Sequence, residues 1–560
     1  MNLLKKKVFI LIILSLSILC QIPLYSQEVP QPVSNTGIYE FLDELAGMQI
    51  IEINSSVKPY SRLFIANRLK ETDEKRDQLN TRQQKELDFY LMDFVKELIL
   101  TNNDRKTARL QDNKTFLWRG NVKTYRSNDS TLRLRRDLFY YKDSLFSLTV
   151  NPIIGGEIFS NSSGKAYYGR NFGEARGYVQ HWGFYASLRD NHEKPLLGLP
   201  QYLTKREGGH YKGNDWSEMQ GGVTWSWKWG NAGFVKDRQQ WGNNYNGANI
   251  FGGNNPTFVQ LRLNLKPVKW FEFNYFHGWL NSMVVDSSRS YWVTNSYGTD
   301  YREVYHKKFI AANMFTITPI KNLNISAGNS IVYDDRHFNP VYLIPLFFYK
   351  SVDHSYTSGI DNMNSQTFID VSSRNIKNLH LYVTLFIDEL SVARFTKKDE
   401  WNFVSWKTGF RLSNFPVQNL SFTTEFTYTY PLTYQHYVPT LTFETQHYNL
   451  GYYLRDNSRE WYVAADYKPI RTLNIVMFLS DAIRGPDYTE LGVDRLGNPP
   501  LASIEWQSTL VGLKASYQII NDLYVWMNFT KSNITGDKRW TPDYFFGRKR
   551  TINLGVMFGF

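Results

Sequence analysis

From about Thr115 to the last residue, apolar side chains recur at every second position. Val259, Leu261, Leu263 and Leu265 alternate with Gln260, Arg262 and Asn264. Leu379, Leu381, Val383, Leu385 and Ile387 alternate with His380, Tyr382 and Thr384, and Leu420, Phe422 and Phe426 with Ser421, Thr423, Glu425 and Thr427. A period of two belongs to a strand with one apolar and one wet face. Segments of this kind match the roughly 9–11 residues that a tilted membrane strand needs. A bundle of membrane helices is excluded, because it requires repeated apolar runs of about 18 residues. Mean hydropathy is −0.43 although 42% of the residues are hydrophobic, as alternation produces and apolar blocks do not.

A turn pattern punctuates the alternation. Pro267-Val268, Pro319-Ile320, Asn375-Ile376, Pro416-Val417, Pro469-Ile470 and Ile519-Ile520 are each followed, four residues after the first, by a large apolar residue. Those residues are Phe271, Leu323, Leu379, Leu420, Leu473 and Leu523, and the pairs start 52, 56, 41, 53 and 50 residues apart. Proline lacks an N–H and sits where strand pairing ends. One strand up, a long loop, one strand down and a short turn fill a repeat of this length. A propeller blade of similar length would need four short strands, where these repeats hold two long ones. Six turns imply about twelve strands after residue 257, with about six more in 115–256. The predicted fold is therefore an all-β transmembrane barrel of about 18 antiparallel strands, in a range of 16–20.

The chain ends with Ile552, Leu554, Val556, Phe558 and Phe560 on one strand face. On a barrel that face meets lipid, and a terminal aromatic is similar to the assembly signal read by barrel assembly machinery. Phe558 and Phe560 are assigned that role. The 16 Trp, 37 Tyr and 37 Phe, 16% of the chain, then supply interfacial girdles.

Ahead of the barrel, Lys5, Lys6 and Lys7 precede the short apolar run Val8–Leu19, and Ser26 precedes Gln27. This is the pattern of a cleaved signal peptide. A rival reading lipidates Cys20, but bulky Leu19 stands where such signals place a small residue. Cleavage after Ser26 removes three Lys, no acid and the one cysteine, so the net charge falls from +12 to +9. Ile38, Phe41, Leu42 and Leu45 then follow helical spacing. Pro59-Tyr60-Ser61 caps a second predicted helix with Leu63, Phe64, Ile65 and Leu69, and Thr81 a third with Leu87, Tyr90, Leu91, Phe94 and Leu98. Lys70–Arg82 between them reads as solvated connector. The expected division is a signal (1–26), a small periplasmic helical domain (27–110) and an outer-membrane barrel with long extracellular loops (111–560).

Several stretches resemble one family. Gly233-Phe234-Val235-Lys236-Asp237-Arg238-Gln239-Gln240-Trp241-Gly242 and Asn255–Leu263 are similar to the mid-barrel signature of the Wzi-type capsule assembly family, in its Bacteroidota form. Trp270-Phe271-Glu272-Phe273 and His277-Gly278-Trp279-Leu280 are similar too, as are Tyr434-Gln435-His436-Tyr437 and Leu450–Ser458. The chain departs from the family at Asn243 and Asn244, which replace glycines. The resemblance implies an 18-stranded barrel closed below by helices, acting as a surface lectin for capsular or other surface polysaccharide. Aromatic rings stack on sugar faces and Arg pairs with acidic sugars. On that basis Trp241, Tyr245, Tyr434, His436, Tyr437 and Arg455 are the candidate glycan-binding residues. For any one of these tyrosines, girdle or loop packing is the competing reading.

Arg262 and Glu272, facing the same way on strands flanking the turn at Pro267, are expected to form a structural ion pair in the lumen. The ten histidines lack metal-ligand spacing; Asp334-Asp335-Arg336-His337 is the densest cluster and reads as a loop. No nucleophile elbow, phosphate loop or dinucleotide fingerprint is present, so neither enzyme activity, metal nor cofactor is expected. Expected partners are the polysaccharide, outer-membrane lipids and barrel assembly machinery, with nucleic acid excluded by export. A porin-like diffusion channel is the alternative. An outer-membrane hydrolase would need a hydroxyl and a histidine converging at one depth.

Overall fold

The computed structural model describes residues 28–101, short stretches between 115 and 142, and 146–559 apart from 210–212, 297, 335–336, 357–361 and 489–496. The signal segment with Cys20, the Asp335-Arg336 part of the acidic loop, and Phe560 lie outside the described residues.

Eighteen antiparallel strands follow one another around a closed barrel. Five precede residue 257: β1 (Phe146–Asn161), β2 (Gly164–Val179), β3 (Trp182–Lys194), β4 (Asp215–Trp227) and β5 (Gly230–Asp237). Next come β6 (Phe258–Val268), β7 (Phe271–Val285), β8 (Tyr305–Ile320), β9 (Leu323–Tyr333) and β10 (Met363–Ser373). They are followed by β11 (Leu379–Glu389), β12 (Phe403–Ser413), β13 (Leu420–Thr429) and β14 (Ser458–Ile470). The circuit ends with β15 (Leu473–Arg484), β16 (Trp506–Ile520), β17 (Leu523–Gly536) and β18 (Gly547–Phe558). β18 closes on β1, with Phe558 opposite Ile154. Thirteen strands rather than twelve follow residue 257, because β18 comes after the sixth turn.

Each apolar residue that ends the sequence repeat is the first residue of a strand: Phe271, Leu323, Leu379, Leu420, Leu473 and Leu523. In four repeats the residue three before it is its cross-strand partner, so Val268, Ile320, Ile470 and Ile520 close two-residue turns. Pro267, Pro319 and Pro469 fall in the register irregularity just ahead, where no ladder N–H is needed. Asn322 and Asp522 complete two of these turns at φ 63° and 62°, a left-handed backbone that Asn and Asp tolerate. The remaining two turns, 374–378 and 414–419, are wider.

The wall is polarised as the alternation requires. Ile154, Phe234, Ile369, Met477, Leu513 and Leu554 stand exposed outside, while Gln260, Asp370, Thr384, Lys407, Glu425 and Glu460 are buried among inward-facing groups.

Among the described residues three α-helices precede the barrel: α1 (Thr36–Gly47), α2 (Arg62–Asp73) and α3 (Thr81–Thr101). Ile38, Phe41, Leu42, Leu45, Leu69, Leu87 and Phe94 pack together as their core. Ser61 caps α2, accepting from Phe64 N at 3.0 Å. Asn80, not Thr81, caps α3: Asn80 and Gln83 exchange backbone-to-side-chain bonds of 3.0 Å in a capping box. Arg82, expected in a solvated connector, is instead buried on Glu44 and Glu86.

The helices dock on the short-turn end of the barrel, chiefly on the two wide turns. Asn378 N donates to Gly47 O at 2.7 Å, Asn414 Nδ2 to Glu44 at 2.7 Å, and Asn80 Nδ2 to Asn419 Oδ1 at 3.0 Å. The helical unit is thus a plug fastened to the rim.

Candidate functional site

Two long loops from the opposite end turn inward, and the first of them meets the plug. The loop between β5 and β6 carries Gln240-Trp241, which pairs as a two-residue ladder with Val57-Lys58 of the plug segment. Trp241 is 1% exposed, ringed edge-to-face by Phe251, Phe276 and Phe368 at 5.2, 5.3 and 6.0 Å. Asn243 holds the loop against the wall by donating its backbone N to Asp370 at 2.8 Å. The asparagine that departs from the family pattern therefore serves as the loop's anchor. The loop between β13 and β14 folds over the first: Tyr434 is buried and donates its hydroxyl to Asn249 O at 2.6 Å.

At the meeting point lies a charged hub. Asp43 of α1 accepts from Arg374 Nη2 and from Tyr245 Oη, both at 2.6 Å. Tyr245 Oη is also 2.7 Å from His380 Nδ1, and His380 Nε2 is 2.9 Å from Ser372 Oγ. Burial acts to raise the Asp43 carboxyl, but Arg374, then His380 and Arg411, hold it well below the usual carboxylate range. Serine, histidine and aspartate thus converge, as a hydrolase would require. However, Ser372 is 1% exposed and lines neither cavity described below, and Asp43 stands 4.0 Å from the imidazole. The chain of bonds ties plug, loop and wall together.

Within the lumen lie a cavity of about 400 Å³ bounded by Arg189, Glu207, Arg238 and Asn246, and another of about 230 Å³ bounded by Asp43, Tyr60, His380 and Tyr462. Tyr245 borders both. In the larger one Glu207, from the loop between β3 and β4, sits 3.0 Å from Arg189, 3.4 Å from Arg238 and 3.6 Å from Arg170. Burial opposes its ionisation, yet Arg238, Arg189 and Arg170 hold its carboxyl down to about 2. Three guanidinium groups on one carboxylate form an anion cradle that the protein's own side chain fills. Among the described residues no three His, Cys, Asp or Glu side chains converge on a metal-sized site.

The candidate glycan residues are not brought together. Trp241 and Tyr434 are core residues, because their loops fold into the lumen rather than over it. Tyr245 belongs to the Asp43 hub. Arg455 acts as a loop strut, donating to His447 O at 2.6 Å and Pro200 O at 3.1 Å. His436 and Tyr437 remain at the surface, stacked at 4.5 Å with Tyr437 53% exposed.

The sequence reading missed a second exposed aromatic pair. Residues Tyr291–Asn295 and Gly298–Arg302 form a hairpin beyond β7 and β8, on which Trp292 (69% exposed) faces Tyr301 at 5.0 Å. The signal was present, as Tyr291-Trp292 and Tyr301-Arg302 on either side of a polar turn. The loop carrying Tyr437 rests on the same strand pair, where Gln446 N donates to Asn281 O at 2.9 Å.

Arg262 and Glu272 do not pair. Register sets Arg262 opposite Phe276, and its guanidinium lies 3.9 Å from Asp237. Glu272 instead meets Lys266 at 3.2 Å.

No protein-family model matches the chain, and no curated protein matches it in sequence. Among solved structures it is similar to Wzi, an outer-membrane protein involved in group 1 capsule assembly in Escherichia coli and a carbohydrate-binding β-barrel. The TM-score is 0.56 at 11% identity, over 96% of this chain and all of Wzi. That likeness establishes a shared fold. Weaker matches are Pseudomonas aeruginosa OprD (TM-score 0.40, 11% identity, 73% of this chain and 94% of that one) and a BenF-like porin from Pseudomonas fluorescens (0.41, 10%, 73% and 98%).

Proposed function

We propose that the protein is an outer-membrane lectin that helps assemble or attach capsular or other surface polysaccharide at the cell surface. The observation that carries this reading is that the chain's own segments enter the lumen from both ends. Plug helices from one end and the loop between β5 and β6 from the other meet at the Asp43–Tyr245 contact, and the loop between β13 and β14 folds over the latter, an arrangement suited to a rigid binding platform and opposed to free diffusion. Trp292–Tyr301 and His436–Tyr437 offer flat rings with a polar edge on the loop side, and such rings stack on sugar faces. The Wzi barrel, which shares this fold, is itself carbohydrate-binding, and the sequence motifs resemble its family. In this reading the chain is exported by its signal, assembled through β18 and seated in lipid by its apolar outer wall.

Deleting the gene and scoring cell-bound against released polysaccharide tests the proposal. Shedding into the medium is expected, and an unchanged coat would overturn it. Combined Trp292→Ala, Tyr301→Ala and Tyr437→Ala should weaken binding of the isolated polysaccharide about ten- to a hundredfold, at roughly 0.5–1 kcal/mol per ring. Because these rings lie outside the core, the melting temperature should stay within a few degrees. In planar bilayers the wild-type protein should show no steady conductance; a stable open current would favour the diffusion channel.

A further inference from the structure

On most of the barrel the outward residues are exposed, but over much of β7, β8 and β9 they are not. Phe273, Tyr275, Phe309 and Ile331 face outward, on the same strand faces as exposed Phe234, Leu261 and Ile317, yet they are buried. The loop between β9 and β10 covers them. It leaves the rim, runs back along the outside of the wall and packs Tyr342 and Tyr349 onto this patch.

The contact is built with polar atoms where a lipid-facing wall has no ordinary use for them. Asn313 lies midway along β8 in its outward stripe, and Asn329 is its cross-strand partner on β9. Asn313 Nδ2 donates to Pro345 O at 2.8 Å and Phe347 O at 2.9 Å. Asn329 Oδ1 accepts from Tyr349 N at 2.8 Å, and Tyr275 Oη donates to Tyr342 O at 2.8 Å. Irregular backbone in hydrocarbon must have its N–H and C=O groups satisfied, at several kcal/mol for each one left open. A loop in water has no such need. Asn313 is seven residues from Ile320 at the short-turn edge. At about 3.3 Å per residue and a tilt near 40°, that sets it roughly 18 Å up the wall, near the middle of a hydrocarbon core of about 30 Å.

The loop's other side matches this depth. The twelve residues 338–349, between His337 and Lys350, carry no charge. Ile344, Leu346 and Phe348 are exposed on that side, with Leu346 64% exposed, while Phe338 packs edge-on against His277 of β7 at 6.4 Å.

We propose that residues 338–349 form a membrane-immersed strap whose outer apolar side chains bind the acyl chains of the surrounding lipid leaflet. The outward Asn313, Asn329 and Tyr275 are its docking residues.

The test uses the full mature protein, free of cysteine once Cys20 is removed with the signal. Leu346→Cys is labelled with bimane and reconstituted in phosphatidylcholine bilayers. Ile369→Cys, on the bare outer wall, reports whether the barrel itself is in lipid. Both labels should be quenched at least twofold by phospholipid bearing a mid-chain nitroxide and little by iodide. Quenching at Ile369 but iodide access at Leu346 would overturn the strap while leaving the membrane barrel standing. A Leu346 label shielded from both quenchers in a particle of dimer mass would also overturn it, in favour of a second copy. Adding Asn313→Leu to the labelled protein should raise iodide access at Leu346 while the Ile369 signal stays constant; no change would show that the asparagine does not hold the strap.

Discussion

Arg374→Ala should destabilise plug docking by roughly 3–5 kcal/mol, because it strips a buried carboxylate of its main partner. Arg374 reaches Asp43 from the wide turn between β10 and β11 with little of either side chain exposed. The pH dependence should also change sign. In the wild type the folded-state carboxyl titrates below its unfolded value near 3.9, so Asp43 adds stability above about pH 4, lost as pH falls toward the folded value. In the variant burial dominates and the folded value rises above the unfolded one. The penalty is then largest at neutral pH and is relieved as pH falls through the raised value. Thermal unfolding in detergent at pH 7 and pH 5 checks this, with the gap to wild type expected to shrink at pH 5. An equal gap at both values would remove Asp43 ionisation as the cause. Arg374→Ala with Asp43→Asn should recover part of the loss at pH 7, since no uncompensated charge then remains buried.

The hub also explains why plug and outer loops belong to one functional unit. Tyr245 arrives from the long-loop side and Asp43 from the short-turn side, so a hydroxyl–carboxylate bond joins structures that enter the barrel from opposite ends. Loop residues of the long-loop side are thereby built on the plug.

The barrel was legible because two of its rules act locally. Alternation marks the strands, and a proline where the ladder opens marks the turn, so Pro267, Pro319 and Pro469 disclosed strand starts to the residue. The loops obey no such rule. Trp241 and Tyr434 read as ready sugar platforms because an aromatic in a loop has the same sequence signature whether the loop folds out or in. Only the facing Phe276 and Phe368, on β7 and β10, decide that Trp241 is core. The Arg262–Glu272 pairing failed on arithmetic of register. With Val268 opposite Phe271 and Leu265 opposite Phe273, Glu272 lies beside the level of Lys266, four residues short of Arg262's partner. Asn313 and Asn329 were visible as polar breaks in apolar outward stripes, but their meaning depends on a loop far along the wall.

Trp241→Ala should cost about 3–5 kcal/mol, the range for removing a large aromatic from a packed interior. Its indole is enclosed by three phenylalanines from loop and wall, and its Nε1 donates to Gln239 Oε1 at 3.1 Å. The deletion leaves a void between β7, β10 and the inward loop that the rigid wall cannot close. It also weakens the Val57–Trp241 ladder through which that loop grips the plug. Polysaccharide affinity should therefore fall together with melting temperature, and Trp241→Phe, which keeps most of the packing, should restore most of both. Tyr437→Ala should behave oppositely, lowering affinity at nearly constant melting temperature, since its ring is outside any core. Trp241→Ala with unchanged melting temperature but lost binding would mean that the indole touches sugar after all, and that the inward loop opens in solution.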